Sequence, residues 1–162
     1  MLEHDASPAQ LFLVGGESRD PDPALTPEIG RLQAVAEELG VADRVHFTGA
    51  RGRDELKTYY SAADVFVTLP CYEPFGITPL EAMACGTPVV TSNVSSLPEV
   101  AGGAALLVDP YDADAIAGGI VQAVTDETLR ADLIKRGEER ARSFSWTQSV
   151  RKIHQIYMDV AR

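Results

Sequence analysis

The sequence predicts an α/β domain of the doubly wound kind, with a mostly parallel five-stranded sheet and helices on both faces. Three observations predict it. Short apolar, β-branched runs alternate with helix-like segments along the whole chain. The runs are only three or four residues long and end near Pro or Gly, as strands buried on both faces do. The segments between them open on Thr, Ser or Asp, and two of them stop at Gly40 and Gly86.

The elements follow in order. Leu11–Val14 reads as the first strand, and Gly16–Thr26, with Ser18, Asp20, Pro21, Asp22 and Pro23, as a polar loop. Thr26 caps a helix from Pro27 to about Leu39. Val45–Phe47 is the second strand, and a helix runs from Asp54 to Ala62. Val65–Thr68 is the third strand, ended by Pro70. Thr78 offers an N-cap hydroxyl, Pro79 fits the first helical position, and Glu81 stands where a capping box needs its acid. Pro88–Thr91 and Leu106–Val108 are the fourth and fifth strands, with Ser96-x-x-Glu99 capping a short helical turn between them. Asp112 opens a helix weakened by Gly118-Gly119, and Asp126 opens a charged one through about Arg142. Ser145-Trp-Thr-Gln148 is a further capping box, opening a last helix to Val160 whose Trp146, Ile153, Ile156 and Tyr157 read as packing contacts.

Composition narrows the function classes. A chain of 162 residues fits a single domain and is long enough to bury roughly 70% of its unfolded surface. A net charge of −10 argues against nucleic acid, which needs a basic face. No apolar run approaches a membrane span, and Met1 is followed by Leu-Glu-His-Asp rather than a signal peptide, so a cytoplasmic location is expected. Cys71 and Cys85 form no C-x-x-C pair, and Cys85 reads as a small core residue. His4, His46 and His154 lie far apart, and no metal site is expected.

The chemistry concentrates in Glu73-Pro-Phe-Gly-Ile-Thr-Pro-Leu-Glu81, where two carboxylates stand eight positions apart between a strand and a helix. Ligands of open α/β sheets bind outside the carboxyl ends of the strands, and a helix N-terminus there suits a phosphate. Taken alone, Glu81 has a structural reading as a capping-box acid, and Glu73 a reading as a solvated loop acid.

Glu73 through Val90, E-P-F-G-I-T-P-L-E-A-M-A-C-G-T-P-V-V, resembles the signature of the retaining glycosyltransferases with the GT-B fold. The nearest group contains sucrose-phosphate-synthase-like enzymes and bacterial mannosyltransferases. Leu11–Gly16, Val45–Gly49, Ala63–Val67, Leu97–Glu99 and Phe144–Trp146 also resemble that family's elements, so the likeness runs from about Leu11 to Tyr157. It implies a C-terminal, donor-nucleotide-binding domain. Glu73 would meet the donor sugar hydroxyls and act in catalysis. The backbone of Phe75, Gly76 and Ile77, next to Thr78, would meet sugar and diphosphate, and Glu81 the ribose. Gly15 and Gly16 belong to the turn after the first strand, and Arg51, with Arg53 and Lys57, to a loop near the base. A carboxylate suits a diol, and glycine admits close backbone approach. The donor would be UDP-glucose, from Tyr72 before the motif, or GDP-mannose, from Ser92–Val100 and Ala104–Pro110. No metal or other cofactor is implied.

The chain departs from that family's pattern in two ways. It lacks the opening strand and helix, with an Arg and a Lys that neutralise the diphosphate, and it lacks the N-terminal acceptor-binding domain. A helix terminus contributes about 0.3–1 kcal/mol to an anion, too little to replace two cations. The isolated chain is therefore expected not to turn over donor. Removing the family's central strand from its order 3-2-1-4-5-6 leaves a flavodoxin-like 2-1-3-4-5. Leu11–Val14 would then sit between Val45–Phe47 and Val65–Thr68. If it did not, Met1–Gln10 or a strand-mediated dimer would fill the gap. Glu81 is expected to serve both cap and ribose, and Glu73 function only. Two other readings stay open: a non-catalytic nucleotide-binding module, and a relic or engineered structural scaffold.

Overall fold

The strand β4 (Val89–Ser92) is buried at every residue, which requires cover on both of its faces. That cover defines the larger part of the molecule. The structure, a computed structural model, describes residues 9–161. The chain divides into two compact units, Met1–Leu56 and Lys57–Arg162. Together they give the expected α/β architecture, with parallel strands alternating with helices.

In the first unit β1 (Leu11–Val14) pairs in parallel with β2 (Val45–Gly49), Leu11 opposite Val45 and Leu13 opposite Phe47. Helix α1 (Pro27–Glu38) connects them and buries Ile29 and Ala36. Thr26 stands at its N-cap position, but its hydroxyl accepts the Glu17 N–H at 3.1 Å instead of a helix amide. The loop before α1 is thereby tied to its own helix. Helix α2 (Arg53–Ala62) spans the division between the units.

In the second unit β3 (Phe66–Thr68), β4 and β5 (Leu106–Val108) form a parallel sheet in the order β3-β4-β5. Helix α5 (Ala113–Thr125) covers the face carrying Val90 and Val108, with Ala115, Ile116 and Ile120 completing that core. Gly119 explains the glycine pair within this helix, since a Cβ there would lie 3.1 Å from Val108 Cγ1. A side chain would push α5 off the sheet. Helix α3 (Ile77–Ala84) packs on β3 and β4. Its Met83 meets Gly137 of α6 (Glu127–Arg142). Asp112 and Asp126 cap α5 and α6 as expected.

Among the described residues β1 and β2 form one sheet and β3, β4 and β5 another, each in the neighbour order expected within its own unit. Leu11–Val14 pairs with β2 inside the first unit. The alternative strand from Met1–Gln10 falls largely outside the described residues.

Helix α7 (Trp146–Val160) opens on Ser145, whose hydroxyl accepts the Gln148 N–H at 3.1 Å. Its Trp146, Ile153, Ile156 and Tyr157 are not packing contacts: Trp146 is 81% exposed and no residue of the helix is buried. The stripe follows helical period, but no partner surface covers it among the described residues. No helix among them is long and apolar enough to cross a membrane. Cys71 and Cys85 are free, Cys71 exposed and Cys85 half-buried at the end of α3.

Candidate functional site

The chain leaves β3 at Thr68, and Pro70 cannot extend a hydrogen-bonded ladder. The loop that follows carries Tyr72, Glu73, Phe75 and Gly76 into the N-terminus of α3. The expected cap does not form. The N-cap residue is Gly76, at φ 103° and ψ 51°, so Thr78 lies inside the first turn and bonds no end amide as a cap. The physical reason is that glycine at the N-cap carries no side chain to accept a helix amide. Glu73 Oε1 accepts the N–H of Phe75 at 3.1 Å and of Gly76 at 2.9 Å, which fixes the turn just before the helix. Glu73 is therefore structural as well as a candidate for function.

Gly76 is fixed by sterics too. A Cβ there would lie 3.0 Å from Leu97 Cδ2, on α4 (Leu97–Ala101). Phe75 and Ile77 remain about half exposed at the mouth of the loop. Phe75 stacks edge-on against Phe144, with ring centroids 5.9 Å apart. The Arg140 guanidinium lies 4.8 Å over that same Phe144 ring.

Glu81 does not close a capping box. Its Oε2 accepts the hydroxyl of buried Tyr60 at 3.2 Å. Burial, followed by the charge and hydrogen bond of Glu81, pushes the Tyr60 phenol up to about 12, so it stays a donor. The Tyr60 carbonyl in turn accepts the Thr87 hydroxyl at 2.6 Å. Sequence reasoning missed Tyr60 because α2 and α3 are far apart in the chain, and an aromatic on a helix gives no local sign of its partner.

Ser96 was expected to cap α4 with Glu99. It stands at the N-cap position but makes no side-chain cap. Its hydroxyl instead lies 2.7 Å from the Glu73 carbonyl and 3.0 Å from that of Phe75. Ser95 donates to the Glu73 carbonyl at 2.8 Å. Neither serine could be assigned this role from sequence.

In the first unit, Gly15 and Gly16 follow β1 at φ 140° and 132°, which a side chain would strain. The Gly15 N–H donates to the Gly49 carbonyl at 3.0 Å. Arg51 Nη1 donates to the Arg19 carbonyl at 3.2 Å. Arg19 in turn pairs with Glu55 at 2.8 Å. The predicted residues thus fall into two groups: Gly15, Gly16 and Arg51 in the first unit, and Glu73, Phe75, Gly76, Ile77, Thr78 and Glu81 in the second. Within the second group one loop and one helix end bring Glu73, Phe75 and Gly76 together. No group of three or more His, Cys, Asp or Glu residues suited to a metal occurs among the described residues.

Comparison with known proteins sets this geometry in a family. The family of glycosyl transferases group 1 matches residues 2–140. The chain is 46% identical over 102 residues to O-antigen chain mannosyltransferase B of Escherichia coli, covering 63% of this chain and 27% of that protein. It is 41% identical over 136 residues to D-inositol 3-phosphate glycosyltransferase of Corynebacterium jeikeium (strain K411), covering 82% and 32%. Among solved structures it superposes on sucrose-phosphate synthase from Thermosynechococcus elongatus with a TM-score of 0.80 and 38% identity. That match covers 93% of this chain and 38% of the synthase. The chain thus spans about a third of the length of the relatives it matches.

Proposed function

Because the chain belongs to the group 1 glycosyl transferases, we propose that it binds a nucleoside diphosphate sugar as the donor half of a retaining hexosyltransferase. The observation that carries the reading is the Glu73–Gly76 loop. It lies at the carboxyl end of a parallel strand and at a helix N-terminus, where α/β folds receive phosphorylated ligands.

In this reading the Glu73 carboxylate takes sugar hydroxyls and is the catalytic candidate. The backbone of Phe75, Gly76 and Ile77, in the turn completed by Thr78, meets the sugar and diphosphate. Glu81, oriented by Tyr60, takes the ribose diol. In the first unit Gly15, Gly16 and Arg51 have nucleotide-contacting roles by the family pattern. UDP-glucose is the first choice and GDP-mannose the second, and the names of the relatives include both glycosyl and mannosyl transfer. The donor is held without a metal, in the cytoplasm. Donor binding is proposed for these residues by themselves, and hexosyl transfer for them together with an acceptor-binding part.

The test is calorimetric titration of the purified chain with UDP, UDP-glucose, GDP and GDP-mannose, with and without EDTA. One nucleotide series should bind, EDTA should leave its affinity unchanged, and Glu81→Gln should weaken it about tenfold, as loss of a charged hydrogen bond does. Absence of binding by both series, or dependence on metal, would sink the proposal.

A further inference from the structure

From the last residue of β3 onward, side-chain hydroxyls join and then replace the main-chain ladder. Thr91 donates to the Thr68 carbonyl at 2.9 Å and Ser92 to that of Pro70 at 2.7 Å. Ser95 and Ser96 continue the series onto Glu73 and Phe75. Four hydroxyls of one segment thus follow the carbonyls of the segment that ends in the Glu73 loop. The last pair matters most. Pro70 and Pro74 remove backbone donors on either side of Glu73, so little else in the main chain can fix that turn. Ser95 also stands at φ 58°, the one non-glycine with positive φ among the described residues. A left-handed conformation at such a residue persists only where its surroundings hold it. Here it aims the hydroxyl at the Glu73 carbonyl.

From this geometry we infer that Ser95 and Ser96 are positioning residues for the donor sugar. Their hydroxyls hold the Glu73 and Phe75 carbonyls, and so set where the Glu73 carboxylate, fixed by the Phe75 and Gly76 amides, faces the sugar. They touch no donor atom themselves, and the nucleotide end of the ligand is not their concern. The inference rests on the donor-binding reading above. It adds that discrimination between a nucleotide sugar and its bare nucleoside diphosphate depends on two serines of the β4–α4 loop.

The experiment compares the wild-type chain with Ser95→Ala, Ser96→Ala and the double variant. Titration with UDP-glucose and UDP, or with GDP-mannose and GDP, gives the ratio of sugar-nucleotide to nucleotide affinity. The double variant should lower that ratio fivefold to tenfold, on the order of one or two hydrogen bonds, with the bare nucleotide changed less than about twofold. Ser96→Thr, which keeps the hydroxyl, should recover most of the ratio. Amide hydrogen exchange is read on the same samples without ligand. Phe75 and Gly76 should exchange faster in the double variant, while β4 amides keep their protection. Equal loss of both affinities, an unchanged ratio, or unchanged exchange at Phe75 and Gly76 would overturn the inference. If the wild type binds neither series the donor-binding reading fails, and the exchange arm still decides whether the serines hold the loop.

Discussion

Replacing Gly76 with alanine tests whether the loop geometry is held by backbone conformation and packing together. Gly76 sits at φ 103°, where an L-residue is less stable by about 1–2 kcal/mol. The new Cβ would lie 3.0 Å from Leu97 Cδ2 and 3.5 Å from Val100 Cγ1. Leu97 is 1% exposed and has little room to move, so overpacking adds about 1–3 kcal/mol. Restricting the unfolded chain returns about 0.4–1 kcal/mol. The net expectation is a loss of about 1–5 kcal/mol, a large part of a typical domain's stability. Two controls separate the contributions. Gly86, at φ 75°, has its nearest neighbour 3.7 Å from a built Cβ, so Gly86→Ala should lose only about 1 kcal/mol through the backbone. Gly118 lies in a helix with nothing within 4 Å, so Gly118→Ala should gain about 0.5–1 kcal/mol. Urea unfolding followed by circular dichroism ranks the three. Equal losses for Gly76→Ala and Gly86→Ala would refute the packing argument, and a neutral Gly76→Ala would refute both parts.

Two further predictions follow from the carboxylates. Glu73→Ala should destabilise the chain by about 0.5–2 kcal/mol, because the Phe75 and Gly76 amides lose their acceptor; an unchanged urea midpoint would restore a purely functional Glu73. Tyr60 has a folded pKa raised from 10.0 to about 12, so its contribution to stability is complete below the lower value and is lost as pH rises through the upper one. Over that range the wild type should lose stability more steeply than Tyr60→Phe, and parallel decline of the two would show that the Tyr60–Glu81 pair is not responsible.

Much of the fold was legible in the sequence. Apolar runs bounded by Pro and Gly located all five strands to within a few residues, and Asp112, Asp126 and Ser145 marked three helix starts correctly. These signals are local: a cap bonds amides two or three residues away, and a strand buried on both faces must be apolar throughout. The long motif from Glu73 to Val90 was legible as well, and with the shorter elements around it carried the family resemblance. What the tertiary structure alone decided is the use of each polar group. Thr26, Thr78 and Ser96 all have the composition of caps. Yet Thr26 accepts from Glu17, Gly76 takes the cap position two residues before Thr78, and Ser96 turns to the Glu73 loop. A hydroxyl bonds whatever partner lies within reach. When that partner is twenty residues away, as for Tyr60 with Glu81 or Ser96 with Glu73, only the packing of helices and strands brings it there.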